Sequence, residues 1–171
     1  MPQVNVALIG YKFMGKAHSN AYRQVRRFFQ GKFEPRMKVI CGRDRAATEA
    51  AARQFGWEEV ETDWRKVMGR KDVEVVDLCT PIDMHHPMAV AAAKAGKHII
   101  CEKPMSTTLP NAREMLRAAE KAGVKHMLMH NYRKLPAVAL AKKLIDEGLT
   151  KAVNFLNNLV IREKLKEMWW A

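Results

Sequence analysis

Cysteine is scarce in this chain of 171 residues, which contains three, at positions 41, 79 and 101. They are too far apart to form a Cys-x-x-Cys pair, and a zinc site needs ligands that are close together in the sequence. Each cysteine lies near the end of an apolar run, where we expect a buried, reduced thiol. We therefore predict no metal site.

Long apolar stretches are also missing. No apolar run approaches the length that spans a bilayer, and the first predicted strand begins almost at Met1, which leaves no room for a signal peptide. These absences predict a cytoplasmic protein that does not enter a membrane. The chain contains no repeat and no low-complexity linker, and its length allows one domain with a sizeable core.

Acidic residues are outnumbered: 18 Asp and Glu stand against 30 Lys and Arg, for a net charge of +12. Such an excess can attract nucleic acid, a membrane surface or an anionic cofactor. The basic residues are spread along the chain, however, and the short cluster at 23–27 is interpreted as a solvated helix face. Since no nucleic-acid recognition motif is present, we predict no nucleic-acid partner.

Strand-like apolar runs alternate with helical segments. The predicted strands are 4–9, 37–41, a short one near Val60, 73–79, 97–101 and 125–129. The predicted helices are 16–30, 46–55, a brief one that Asp63 caps and that runs through Met68, 88–94, 110–122 and 136–147. Because parallel crossovers are right-handed, this alternation predicts an α/β fold, a doubly wound parallel sheet with helices on both faces.

The turn at 10–15, Gly-Tyr-Lys-Phe-Met-Gly, joins the first strand to the first helix. Strand, glycine turn and helix are typical of a dinucleotide-binding unit, in which the helix start binds the pyrophosphate. The usual pattern has three glycines, and Lys12 replaces the second. Lys12 either obstructs the phosphates or adds a charged contact to them, and an ordinary strand–helix turn is the alternative interpretation.

Gly42, Arg43 and Asp44 follow the second strand, where a dinucleotide-binding unit meets the adenosine ribose. An acidic residue there binds the 2′-hydroxyl, whereas an arginine favours a 2′-phosphate. Arg43 therefore slightly favours NADP. Asp44 keeps NAD open, and Arg43 as a plain exposed loop residue is the alternative.

Two later strands end in polar motifs at the ligand-binding edge of such a sheet. Thr80 and Pro81 follow the central strand, and Pro87 is predicted in the first turn of the next helix. His85 and His86 are adjacent and do not share a helix face, so chelation by the pair is not expected. Glu102-Lys103-Pro104 follows the next strand.

Taken together, these motifs resemble the N-terminal half of the Gfo/Idh/MocA family, which includes glucose–fructose oxidoreductase and inositol 2-dehydrogenase. Four features match in order: the glycine turn with Ala17-His18, Thr80-Pro81 with His85, the run 95–98 leading into 101–104, and Asn131-Tyr132-Arg133. The Glu-Lys-Pro placement is the most specific of them. The likeness covers about residues 3–148.

The resemblance implies that the chain binds NAD or NADP and oxidises or reduces a sugar, inositol or related polyol. It implies that Lys103 is the catalytic lysine, with Glu102 beside the reacting carbon, and that Pro104 is cis. An ion pair between Glu102 and Lys103 is the alternative. The other implied cofactor-binding residues are Gly10, Phe13, Met14 and Gly15 for the pyrophosphate, Thr80, Pro81 and His85 for the nicotinamide side, and Asn131 and Arg133. Ile82 departs from the family, which usually has a polar residue there.

Family members continue into a second domain, whereas here only residues 149–171 follow the predicted dinucleotide-binding domain at 1–148. We interpret this tail as a remnant or replacement of the second domain. Its Trp169-Trp170 pair is expected to pack on the domain or against another copy of the chain. Two functions follow as hypotheses, an NAD(P)-dependent oxidoreductase and a stand-alone dinucleotide-binding module without turnover.

Overall fold

The structure, a computed structural model, describes residues 1–149. This part of the chain forms a compact unit over Met1–Met129 and a second unit that begins at His130. The predicted packing of Trp169 and Trp170, on the domain or against another copy of the chain, falls on residues outside the described part, and the predicted domain boundary at 148 stays a prediction.

The first unit is a parallel sheet of six strands in the order β3-β2-β1-β4-β5-β6. The strands are β1 Gln3–Ile9, β2 Glu34–Cys41, β3 Glu59–Glu61, β4 Val75–Leu78, β5 His98–Glu102 and β6 His126–Met129. The helices between them are α1 Phe13–Phe28, α2 Arg45–Phe55, α3 Trp64–Met68, α4 Ile82–Lys94 and α5 Leu109–Ala122. This arrangement confirms the predicted doubly wound fold.

The core has two layers because successive residues of a strand face opposite sides of the sheet. Ala7 and Ile9 of β1 pack with the side that carries α3, α4 and α5. Val6 and Leu8 pack on the other side, with Ala51 of α2 among others. None of the helices within residues 1–149 is long and apolar enough to cross a membrane.

Three predicted starts of elements, those of α1, α4 and β2, differ from the structure by three residues or more. Helix α1 begins at Phe13, inside the glycine turn, and α4 begins at Ile82, so Pro87 lies inside α4 and not in its first turn. Pro81 has an extended backbone and occupies the N-cap position of α4, so the helix begins earlier than predicted. Strand β2 begins at Glu34 because its first residues pair only with β1, so the absence of an N–H at Pro35 breaks no bond to β3.

In the second unit, a 3₁₀ turn at Asn131–Lys134 precedes the helix α6, Pro136–Leu144. The sequence predicts one helix that Gly148 ends. The α-helix in fact ends at Leu144, and Ile145–Leu149 continues as a π-helical turn. Lys142 and Lys143 each pair with an acidic residue four positions later, Asp146 and Glu147, across the junction of the two helices.

The turn between β1 and α1 depends on two glycines. Gly10 has a φ of 106°, and a Cβ there would lie 2.4 Å from the carbonyl oxygen of Cys79 at the end of β4. A Cβ on Gly15 would lie 1.9 Å from the carbonyl oxygen of Gly10. The start of α1 therefore packs directly on the backbone of the turn, as the predicted motif requires.

Gly15→Ala is expected to destabilise the fold, although alanine is favoured over glycine inside a helix by about 1 kcal/mol. The clash with the Gly10 carbonyl should outweigh this gain and cost about 3 kcal/mol, as severe overpacking does. Urea unfolding followed by circular dichroism measures the change. Gly69→Ala is the matched control, because its Cβ would meet the carbonyl oxygen of Lys66 at an ordinary 3.5 Å. Equal stability of the Gly15→Ala variant and the wild type would contradict the close approach.

Candidate active site

The polar motifs come together at the carboxyl edge of the sheet, where β1 lies between β2 and β4, and β5 lies beside β4. The chain reverses its direction of travel across the sheet between β1 and β4, because β2 and β3 lie on one side of β1 and the later strands on the other. A doubly wound sheet binds its ligands outside this reversal point. The turns after β1, β2, β4 and β5 therefore surround one candidate site.

The start of α1 offers backbone donors without a side-chain acceptor. Lys12 is the N-cap residue and makes no side-chain capping bond, so the first N–H groups of the helix are not satisfied by their cap. Lys12 has a φ of −75°, which any residue adopts, and its side chain is exposed. The side chain of Phe13 is 81% exposed and therefore closes no pocket over the turn. What Phe13 offers a ligand is its backbone. These groups fit an anion such as a pyrophosphate.

At the end of β2, a Cβ on Gly42 would lie 2.3 Å from the ring of Tyr11, so this glycine allows the ring to pack closely. Asp44 caps α2, and its Oδ1 accepts a hydrogen bond of 3.0 Å from the Ala47 N–H. Arg43 lies exposed between these two residues. The Arg43 guanidinium is therefore accessible, while the Asp44 carboxylate is already bound to the Ala47 N–H.

At the end of β4, His85 is buried with 1% of its surface exposed. Its Nε2 lies 2.9 Å from the carbonyl oxygen of Thr80, and its Nδ1 lies 3.0 Å from that of Pro104. His85 thus connects the turn after β4 to the turn after β5. His86 faces a different partner, Glu114 of α5, at 2.9 Å, as expected for adjacent residues of a helix.

At the end of β5, Glu102 is buried and Lys103 is exposed. The Glu102 Oε2 accepts a hydrogen bond of 3.0 Å from the backbone N–H of Lys103. This hydrogen bond uses the backbone of Lys103 and does not involve its ammonium group. The Lys103–Pro104 peptide bond is cis, which confirms what the resemblance implies.

His18 was not among the predicted site residues. The ring lies in α1 with 8% of its surface exposed, between Asp77 of β4 and Glu102 of β5, which are 0% and 5% exposed. The His18 Nδ1 lies 2.8 Å from the Asp77 Oδ2, and the His18 Nε2 lies 3.0 Å from the Glu102 Oε1. Tyr22, one helical turn later, donates a hydrogen bond of 2.7 Å to the same Asp77 oxygen. Asp77 inside a predicted central strand was the available signal.

The environment of this cluster shifts several pKa values. Burial by itself lowers the pKa of His18, but the hydrogen bonds and charges of Asp77 and Glu102 raise it more, so the net pKa lies above 6.5. Burial and the charge of Asp77 raise the pKa of Tyr22 and that of Cys79 well above their ordinary values. The Tyr22 hydroxyl and the Cys79 thiol are therefore neutral at pH 7.

His18, Asp77 and Cys79 bring one potential metal-ligand atom each to within 4.8 Å of one another. The atoms already contact each other, with the Cys79 thiol 3.7 Å from the Asp77 Oδ1 as a weak donor. A protonated thiol is a poor ligand because metals bind the thiolate. The three side chains are accounted for as a hydrogen-bonded cluster.

Asn131 and Arg133 lie in the second unit, on the 3₁₀ turn Asn131–Lys134. Both side chains are exposed. Their part in cofactor binding stays a prediction.

Comparison with known proteins agrees with this geometry. Residues 4–130 match the GFO_IDH_MocA model, described as an oxidoreductase family with an NAD-binding Rossmann fold. A levoglucosan dehydrogenase from Pseudarthrobacter phenanthrenivorans is 47% identical over 86% of this chain and 38% of its own length. A D-apiose dehydrogenase from Paraburkholderia graminis is 32% identical over 83% of this chain and 36% of its own.

Solved structures show the same likeness. A levoglucosan dehydrogenase in complex with NADH and levoglucosan is 47% identical, with a TM-score of 0.83 over 85% of this chain and 40% of its own. An oxidoreductase domain protein from Kribbella flavida is 48% identical, with a TM-score of 0.83 over 86% of this chain and 40% of its own. This chain thus spans about two fifths of the length of these relatives.

The raised pKa of His18 predicts a pH-dependent stability. Because the pKa of His18 is raised on folding, its contribution is fully present below pH 6.5 and is lost as the pH rises through the higher pKa of the folded state. His18→Gln should therefore cost about 3 kcal/mol at pH 6, where it breaks a buried ion pair, and less at pH 9. Urea unfolding of both proteins at each pH measures the difference. His126→Gln, at an exposed site, should show no such trend, and a cost that grows towards pH 9 would refute the assignment.

Proposed function

Because the chain belongs to the Gfo/Idh/MocA family of NAD-binding oxidoreductases, we propose that it binds a nicotinamide dinucleotide and serves hydride transfer at a carbon of a sugar or polyol. The observation that carries the proposal is that two of the predicted turns lie at the same carboxyl edge of the sheet. The glycine turn after β1 and the Glu102-Lys103 turn after β5 lie on the two sides of β4.

In this proposal, the first turn of α1 holds the pyrophosphate through the N–H groups near Met14 and Gly15. Gly10 allows the backbone of the turn to pass close to the end of β4, where a side chain would meet the Cys79 carbonyl. This close passage leaves room for the phosphates. The exposed Lys12 ammonium adds a charged contact to phosphate. Thr80 and Pro81, on the far side of the reversal point, line the nicotinamide side.

Lys103 is proposed as the catalytic residue. The nicotinamide, when bound, supplies the hydride acceptor or donor. The Lys103 ammonium donates a hydrogen bond to the substrate oxygen, stabilises the alkoxide charge and takes part in the proton transfer. Glu102 accepts a hydrogen bond from the backbone N–H of Lys103 and so holds the base of this side chain, while the ammonium has no ion-pair partner among residues 1–149 and can meet a substrate.

The substrate class rests on the relatives. They include dehydrogenases named for levoglucosan, D-apiose and scyllo-inositol, which are all polyhydroxylated rings or sugars. We propose a substrate with several hydroxyl groups on neighbouring carbons. A module that binds the dinucleotide without turnover is the second candidate, since most of the proposed cofactor contacts lie within the first unit.

Lys103→Ala should lower kcat for the oxidation of a sugar or polyol by about 100-fold or more, as expected for loss of a general acid–base group. The affinity for NADH should change little, because Lys103 is proposed to contact the substrate. Turnover with levoglucosan, D-apiose and scyllo-inositol is followed by NAD(P)H absorbance, and binding by NADH fluorescence. Lys71→Ala, at an exposed lysine in the loop before β4, is the control.

The outcomes separate the candidates. Equal rates in wild type and Lys103→Ala would remove Lys103 from the chemistry. NADH or NADPH binding by a wild-type chain that oxidises none of these substrates would leave the binding module. If neither dinucleotide binds at low salt, both candidates are lost.

The choice between NAD and NADP is proposed to depend on Arg43. Its guanidinium is exposed at the end of β2, where the adenosine ribose of a bound dinucleotide would lie. This supports a 2′-phosphate and hence NADP, as does the engagement of Asp44 in capping α2. The NADH complexes of levoglucosan dehydrogenase support NAD.

Arg43→Asp should raise the ratio of the Kd for NADPH to the Kd for NADH by at least about tenfold, because it replaces a charge-assisted hydrogen bond with a like-charge repulsion. Fluorescence titration with each dinucleotide at low salt gives the ratio. Arg53→Asp, in the last turn of α2, makes the same charge change away from the end of β2. A ratio that moves equally in both variants would reflect net charge alone and would contradict the role of Arg43.

A further inference from the structure

The His18 ring lies between two buried carboxylates. The two ring nitrogens contact one oxygen each of Asp77 and Glu102, at 2.8 Å and 3.0 Å. A neutral imidazole carries a single N–H. With both carboxylates ionised, both contacts are hydrogen bonds only when both ring nitrogens carry a proton.

Both carboxylates also face donors other than His18. The Asp77 Oδ2 also accepts from the Tyr22 hydroxyl, and the Cys79 thiol faces the Asp77 Oδ1. The Glu102 Oε2 accepts from the Lys103 N–H. Each carboxylate thus faces donors from more than one direction. A doubly protonated His18 supplies the donor that each carboxylate faces in the ring.

The bridge reaches the proposed catalytic lysine in two steps. The Glu102 Oε1 faces His18, and the Glu102 Oε2 binds the backbone of Lys103. His18 itself lies in α1, the helix whose first turn is proposed to hold the pyrophosphate. One carboxylate therefore connects the phosphate-binding helix to the turn that carries the ammonium.

We propose that His18 is a positioning residue of this site: as a doubly protonated bridge between Asp77 and Glu102, it holds the Lys103 turn in place relative to α1. The inference deepens the proposed function and rests on it for its catalytic meaning. The bridge itself requires neither cofactor nor substrate.

Nitrogen-15 NMR of the full chain tests the bridge without turnover. The two ring nitrogens of His18 in the wild type should both show the protonated chemical shift at pH 7. A ring with one unprotonated nitrogen at pH 7 would overturn the proposal. Once the ring resonances of His18 have been assigned, this measurement needs only the wild type. It therefore tests the doubly protonated bridge even if a variant fails to fold.

Two variants then separate positioning from simple packing. The backbone amide resonance of Lys103 should shift in His18→Gln, since Glu102 loses its second partner. It should stay in place in Tyr22→Phe, which removes a neighbouring hydrogen bond to Asp77 but none to Glu102. An unmoved Lys103 amide in a folded His18→Gln chain would overturn the proposal.

Where the wild type oxidises a sugar, His18→Gln should lower kcat by about tenfold through misplacement of Lys103, with the Kd for NADH changed by less than about threefold. Equal kcat values would refute the positioning role. A wild type without turnover would count against the proposed function alone, because the NMR results stand independently. A folded chain with a neutral His18 would count against this inference alone.

Discussion

The close approach of backbone to backbone at the first turn is the constraint on which the site depends. Gly10 passes so close to the end of β4 that a Cβ on it would clash with the Cys79 carbonyl oxygen. A Cβ on Gly15 would clash in the same way with the carbonyl oxygen of Gly10. This contact sets where α1 begins and how it crosses the sheet. A looser turn would move the whole helix, including the donors at its start and the ring of His18 one and a half turns later.

The position of α1 in turn determines how charge is buried. Asp77 lies in the middle of the sheet and would be costly there alone, since an unpaired buried carboxylate loses its hydration. The helix supplies His18 and Tyr22, which lie four residues apart and so face the same strand residue. Glu102 completes the group from β5. Packing and electrostatics therefore require the same placement of the helix, at the edge where the proposed chemistry takes place.

Several features were predictable because their causes are local. The alternation of apolar runs and helical segments led to the doubly wound fold, and Asp63 caps α3 through the N–H of Arg65, as expected from its position before the helix. The start of α4 was not predictable from Pro87 alone, since Pro81 is an equally acceptable place to begin. The end of α6 at Leu144 has no sequence signal comparable to a glycine, because the chain there continues as a π-helical turn.

The sequence by itself determined the family, the parallel sheet and the set of turns that line its carboxyl edge, because glycine spacing and strand periodicity act between neighbouring residues. Only the tertiary structure decided that His85 connects Thr80 to Pro104 and that His18 lies between two acids. His18 is 59 residues from Asp77 and 84 from Glu102 along the chain. Hydrogen bonds across such separations exist only after the sheet has brought the strand ends together, and no local pattern specifies them.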